Sequence, residues 1–322
     1  MRLIRRAALA ASIATAIVAA PAHATDWPVK PVTIYVTTAA GGNTDLMARM
    51  AAEHLTAKLG KPFVVENRPS AGGAQASGAV VSAAPDGYSL LFTPSSAILL
   101  APLVQKMSFD PDKSLTPVTN VGTGSQVIAI KRSLPVSNLA ELLAYAKQNP
   151  GKLNFAAAGT NNISHLAPLL LFKLAGAEVV MVPSRGEPQA IADLMAGNVD
   201  FYFGNTSVLL AQREHPAIRL LAVGTAERIP SAPDLPTASE TLPGFVFASW
   251  NGFLVPNGTP EPIIEKLRDA VTAMVRTPEV SARLVGLGIL PGGQTKEQVA
   301  AAFASDRKNF AEAVKAAGIP AP

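Results

Sequence analysis

The chain has no cysteine among its 322 residues and only four histidines. Without cysteine there is no disulfide, no thiol nucleophile and no thiolate metal site. Charge is sparse as well, at 16% of residues, and no lysine–arginine run or basic stripe with interleaved aromatics occurs. Nothing therefore marks a nucleic-acid-binding surface. The excess of 27 basic over 23 acidic residues sits at the start of the chain, because without Arg2, Arg5 and Arg6 it falls to one.

The usual reaction motifs are missing too. A phosphate loop for nucleotides needs a lysine after its glycines, but Gly41-Gly42 is followed by Asn43, Thr44 and Asp45. The dinucleotide pattern G-x-G-x-x-G is not formed there. No G-x-S-x-G nucleophile elbow and no H-E-x-x-H zinc helix occur. His54 lies mid-helix in "AEHLTAK" and reads as a boundary residue, and His215 in "REHPA" reads as solvated, so no three-histidine metal site is supported. No cofactor or metal is expected.

What is present begins with "MRLIRRAALAASIATAIVAAPAHA", which has a basic start, an apolar middle from Ala7 to Ala20 and a small-x-small end at Ala22-His23-Ala24. That is the pattern of a secretory signal peptide, residues 1–24, cleaved after Ala24. The apolar stretch is short of the roughly 20 residues of a membrane span. The absence of cysteine near the cleavage site excludes a lipid anchor. Cleavage leaves 298 residues, enough for one large or two medium domains with a sizeable core.

Hydrophobic patterning then alternates. "VTIYVTT" (Val32–Thr38) reads as a strand. The following helix starts at Asn43 or Thr44, either of which can cap it, and ends at Gly60, with Leu46, Met50, Leu55 and Leu59 toward one face. "PFVVENR" and "YSLLFT" are strands around the small-residue helix "GGAQASGAVVSAA". This β-α-β-α-β unit is the element of a parallel, doubly wound sheet. The alternation restarts at "QVIAIK" and runs through "LNFAAA", "VVMVPS", "VDFYFG" and "IRLLAVGT" with helices between, and a return strand "ASWNGFLVP" follows a proline-rich passage. The tail carries three helical patterns, Pro260–Arg276, Glu279–Gly288 and Thr295–Ala317. Two α/β lobes joined by crossings near Val121–Ser125 and Ala248–Asn251 fit this order; a single large α/β sheet is the alternative.

Polar residues collect at strand ends, where open α/β sheets bind ligands. "TTAAGGNTD" (Thr37–Asp45) places paired glycines before a helix start, where small residues let backbone approach an anion and free N–H groups meet it. "AAAGTNNISHL" repeats that logic with Ala158, Gly159, Thr160, Asn161 and Asn162 ahead of a helix starting near Ser164; an ordinary capped connection with His165 packed in the first turn is the plainer reading. "FTPSSA" supplies Ser95 and Ser96, "FGNTS" supplies Asn205, and "PSRGEP" supplies Arg185, either a fork for a carboxylate or a solvated loop residue. Polar groups without a nucleophile and base point to holding a ligand, not converting it.

With these segments in order, the sequence resembles the Bug family of periplasmic solute-binding proteins, the receptors of tripartite tricarboxylate transporters. "WPVKPVTIYV", "GGNTDLMAR", "GKPFVVENRPSAGG", "AAPDGYSLLF", "NPGKLNFAAAG", "DLMAGNVDFYFGN", "LLAVGTAERIPSAPDLPTASE", "PGFVFASWNGFLVPNGTP" and "KAAGI" carry the likeness over essentially the whole mature chain. The resemblance implies an α/β, type II-like Venus-flytrap fold, two α/β lobes with central mixed sheets and two hinge crossings. One lobe is expected from residues 25–122 with 250–322, the other from 123–249. It implies a periplasmic, non-enzymatic receptor, acting as a monomer, that holds a di- or aromatic carboxylate for the large and small membrane subunits of a transporter, with a sensor kinase as a further candidate partner. Carried over by motif, the ligand-holding residues are Ala40, Gly41, Gly42, Asn43, Thr44 and Asp45 in one lobe and Ala158 to Asn162, His165 and Asn205 in the other.

The departures from the family pattern bear on the ligand. Thr38-Ala39-Ala40 replaces the usual Phe-Pro-Pro, Ser184 the usual Tyr, Gly204 the usual Asp before Asn205, and Asn251 the aromatic after Trp250. If these positions face the cleft, the pocket is roomier and has lost a carboxylate, which suits a larger or more negative ligand and leaves an ammonium group without an acidic partner at Gly204. Two rivals remain: an exported ligand-sensing adaptor without transport, and a carboxylate-processing hydrolase or lyase with His165 as base.

Overall fold

The computed structural model describes residues 26–160, 162–316 and 322. The signal-peptide segment with its cleavage site, Asn161, Ala317 and the end of the "KAAGI" match lie outside the described residues.

Branched and aromatic residues form β1 (Val32–Val36), and Gly41-Gly42 turn the chain into α1 (Asn43–Leu59). Neither Asn43 nor Thr44 caps α1: Gly42 is the N-cap, and no side chain among the described residues takes up the first-turn N–H groups. Gly60 ends the helix in the left-handed region at φ 74°, its N–H on the Thr56 carbonyl. The helix buries Met50 and Leu55 of the expected face together with Met47, Ala48 and Ala51, and leaves Leu46 and Leu59 partly exposed. β2 (Phe63–Asn67), α2 (Ala74–Val81) and β3 (Ser89–Pro94) complete the expected unit, with β1 central and all three strands parallel.

A π-helical turn at Ser96–Leu100 then leads through α3 (Ala101–Val104) and α4 (Pro111–Ser114) into β4 (Leu115–Lys131). β4 is 17 residues long, although only its second half shows strand patterning in the sequence. Pro117, Gly122 and Gly124 blur the first half. The second unit runs α5 (Leu139–Gln148), β5 (Asn154–Ala158), α6 (Ile163–Leu174), β6 (Val180–Ser184), α7 (Glu187–Met195), β7 (Phe201–Asn205), α8 (Thr206–Leu210), β8 (Ile218–Val223) and α9 (Ala238–Thr241). The chain returns through β9 (Ala248–Pro256), α10 (Glu261–Val275), α11 (Pro278–Gly286), the unexpected short strand β10 (Ile289–Pro291) and α12 (Lys296–Ala316).

The strands are ordered β2-β1-β3-β9-β4-β7-β5-β6, with β8 and β10 also on β4. β4 and β9 join the two halves. Leu115–Ser125 of β4 pairs antiparallel with β9, whereas Gln126–Ile130 pairs with β7 and Val127–Lys131 with β8. Just before β9, the Phe247 N–H still bonds the Gly224 carbonyl at 2.9 Å. Both halves hold mixed sheets, parallel within β1-β2-β3 and β5-β6-β7 and antiparallel where β4 and β9 run. The first half buries Ile34, Met47, Phe92, Phe253 and Leu267 together. In the second, the two-residue period of β7 sends Phe201 and Phe203 to one core and Tyr202 to the other.

Close packing of β4 on β9 makes Gly252 irreplaceable. It faces Asn120, and a Cβ there would lie 2.6 Å from the Thr119 carbonyl oxygen and 2.9 Å from the Asn120 Cα. These are backbone atoms, which no rotamer change can move. Gly252→Ala is expected to lower stability by about 1–3 kcal/mol, the range for overpacking. Urea unfolding checks this, and an unchanged midpoint would contradict it.

Candidate functional site

The strand-end loops of both halves open on one cavity of about 540 Å³. The first loop is set from beneath. Asp45, 2% exposed, accepts hydrogen bonds from the Gly41 N–H, Arg49 Nε and Asn67 Nδ2, each at 2.9 Å. Asn67 Nδ2 also donates to the Thr38 carbonyl at 3.1 Å. Gly41 sits at φ 84°, a conformation in which any side chain would be strained. Burial alone raises the Asp45 pKa, but the hydrogen bonds from Arg49, Gly41 and Asn67 outweigh it and hold the carboxyl below its ordinary value. The result is a fixed turn that presents the uncapped start of α1, a helix of 17 residues, to the cavity. At the start of α1, Thr44 donates to Asn251 Oδ1 at 2.6 Å, tying the loop to β9.

The second loop is built differently. Asn162 caps α6, its Oδ1 accepting from the His165 N–H at 3.2 Å and from Ser164 Oγ at 2.8 Å, while its Nδ2 donates to the Ala158 carbonyl at 2.9 Å. This helix start is therefore capped, the plainer of the two readings of its sequence. His165 is half-buried, burial pushes its imidazole pKa down, and it does not reach the cavity wall.

The third group joins α7 to the end of β7. Glu187, the first residue of α7, accepts from the Asn205 N–H at 2.7 Å, from Asn205 Nδ2 at 2.6 Å and, more loosely, from the Tyr202 hydroxyl at 3.4 Å. Burial pushes its pKa up against those donors. Glu187 and Arg185 are the charged residues on the cavity wall among those described.

The family model for the tripartite tricarboxylate transporter family receptor, TctC, matches residues 47–318. The chain belongs to this family. It is a periplasmic-type solute-binding receptor and not an enzyme. BugT of Bordetella pertussis is 32% identical over 309 residues, 95% of each chain. A Rhodopseudomonas palustris protein solved with adipate is 31% identical with a TM-score of 0.86, covering 91% of this chain and 99% of the other. MatC of the same organism, solved with malate, is 31% identical with a TM-score of 0.82, covering 89% and 100%. The α/β two-lobed fold expected from the sequence is thus that of the solved receptors.

Within this TctC receptor, the cavity wall gathers Thr38, Ala40, Gly42, Asn43, Thr44, Ser96, Ala158, Gly159, Thr160, Asn162, Arg185 and Asn205 from the expected set. Gly41, Asp45, Ser95, His165 and Ser184 are not on it. Gly41 and Asp45 shape the first loop. Ser95 is buried with its hydroxyl 2.9 Å from Ser249 Oγ, and Ser184 is buried at the end of β6. The departures separate in the same way. Thr38, Ala39, Ala40 and Asn251 do line the cavity. Gly204 does not: a Cβ there would lie 2.3 Å from the Tyr202 ring, which fills the space.

The sequence pattern thus pointed to a carboxylate missing at Gly204, which is off the cavity, and not to Glu187, which is on it. In "PSRGEP", Glu187 looks like an ordinary acidic first-turn residue favoured by the helix dipole. The signal lay in its position directly after the Gly that ends a strand loop. Gln126, Ser249 and Tyr202, which also line the cavity, sit inside strands and carried no local signal. Among the described residues, no cluster of metal-binding side chains occurs and no helix is long and apolar enough to cross a membrane.

Proposed function

We propose that this receptor holds a small carboxylate between its two jaws, residues 25–122 with 250–322 and residues 123–249, and presents the closed form to the large and small membrane subunits of a tripartite tricarboxylate transporter. The signal-peptide pattern supports delivery to the periplasm. The observation that carries the reading is the first loop: a long helix, free of any side-chain cap, aimed into the cavity from a turn locked by Asp45. The adipate and malate found in related receptors support an acid as its occupant.

The energies suffice. A partly buried helix N-terminus contributes up to ~2 kcal/mol to an anion, and each hydrogen bond to a charged group about 1.5–3 kcal/mol. Micromolar binding requires about 8 kcal/mol, within reach of a few donors from each jaw after association costs. Arg185 is exposed and is not needed for that sum. Ligand joins one jaw first, and closure brings in the polar atoms of the other.

A thermal-shift screen of malate, adipate, succinate and benzoate against neutral sugars tests the proposal. Acid present at about a hundred times its Kd is expected to add about 2.7 kcal/mol of apparent stability. A shift with sugars and none with any acid would sink it.

A further inference from the structure

Glu187 is a carboxylate on a cavity expected to receive a carboxylate. Every group that touches it is a donor: the Asn205 N–H, the Asn205 side-chain amide and the Tyr202 hydroxyl. These donors favour the ionised form against burial, which pushes its pKa up. Its charge has no cationic partner, because no Lys, Arg or His among the described residues forms an ion pair with it. Arg185, two residues away, is exposed and lines the same cavity without pairing with Glu187.

A second observation comes from elsewhere on the wall. Asn43 and Gln126, 3% and 5% exposed, line the same cavity. Their side-chain oxygens Oδ1 and Oε1 have no hydrogen-bond partner among the described residues. Buried acceptors left unpaired are costly, and an incoming donor removes that cost. The cavity thus combines N–H donors at the start of α1, where the unpaired Asn43 oxygen also lies, with a charged acceptor, Glu187, away from it.

We infer that Glu187 selects the ligand, and that this receptor takes a small carboxylate that also carries a cationic nitrogen. The inference rests on the carboxylate reading above and narrows it. An ammonium group brings three donors and a positive charge to the acceptors; a second carboxylate would meet Glu187 as a like charge. The lost Asp at Gly204 therefore does not leave an ammonium without a partner, as the sequence pattern suggests; Glu187 supplies one from the neighbouring helix start.

Calorimetric titration with acids matched in length tests this: γ-aminobutyrate, succinate and butyrate, then ε-aminocaproate, adipate and hexanoate. In at least one trio the amino acid is expected to bind about tenfold or more tighter than both companions. Glu187→Gln, which keeps the shape, is expected to erase that preference, and Glu187→Asp to retain its direction at reduced affinity. Circular dichroism confirms that each variant is folded. A dicarboxylate binding tightest to the wild type, or a preference unchanged in a folded Glu187→Gln, overturns the role of Glu187 while leaving the carboxylate reading standing. No binding by any of these acids, nor by malate or benzoate, overturns both.

Discussion

Replacing Asp45 by alanine is expected to destabilise the receptor by about 2–3 kcal/mol and to weaken carboxylate binding at least about tenfold, although Asp45 is absent from the cavity wall. The side chain is 2% exposed and receives three hydrogen bonds. Its removal leaves the Gly41 N–H and the Asn67 amide facing a hole, while Arg49, half exposed, can turn to water. The turn that aims the start of α1 then loses its floor. Asp45→Asn keeps one acceptor but cannot serve all three donors, so it should fall between wild type and alanine. Urea unfolding measures the stability and calorimetry with the best-bound acid measures the affinity. An alanine variant with wild-type affinity would show that the loop holds its shape without the carboxylate.

The same residue gives a pH signature with a definite sign. The Asp45 carboxyl lies below its ordinary value of 3.8 in the folded protein, because its hydrogen-bond donors outweigh burial. A lowered folded-state pKa adds stability that is fully present above the unfolded value and is lost as the pH falls through the folded one. The stability gap between wild type and Asp45→Asn should therefore be constant near neutral pH and shrink as the pH drops below about 4.

The loop around Asp45 and the carboxylate of Glu187 show where sequence was enough and where it was not. The first loop was legible because its chemistry is local: a strand, two glycines and a helix start are contiguous, and paired glycines there have few other uses. The order of strands and helices was legible for a related reason, since period two and period 3.6 leave their mark within a dozen residues. Glu187 was not legible as a cavity residue because its meaning depends on Asn205 and Tyr202, which reach it only when β7 lies beside the start of α7. The start of α6 was left between two readings, and the plainer one, a capped connection, is what forms. An Asn before a helix can either cap it or leave it open to a ligand, and only the observed bonds to Ser164 and His165 decide between them. The first half of β4 escaped because its glycines and proline, which break the pattern, are the residues that let it bulge and pack closely against β9.

Phe201→Ala is expected to cost about 3–5 kcal/mol, the range for removing a buried Phe. Phe201 is fully buried, and its ring lies 5.4 Å from Phe155 on β5, 4.9 Å from Phe172 on α6 and 5.9 Å from Phe203. Three elements of the second jaw therefore meet on one ring, and its loss leaves a cavity that none can close without moving a strand. Phe201→Leu refills most of the volume and should cost less than half as much. Urea unfolding distinguishes the two, and a loss below about 1 kcal/mol for alanine would mean that the cluster relaxes around the hole. The consequence reaches the ligand through β7. Phe201 anchors the strand on one face, Tyr202 touches Glu187 from the other, and Asn205 at the strand's end supplies the two short hydrogen bonds to that carboxylate. A folded Phe201→Ala protein should thus discriminate amine-bearing from plain acids less sharply than wild type, even though Phe201 lies outside the cavity wall.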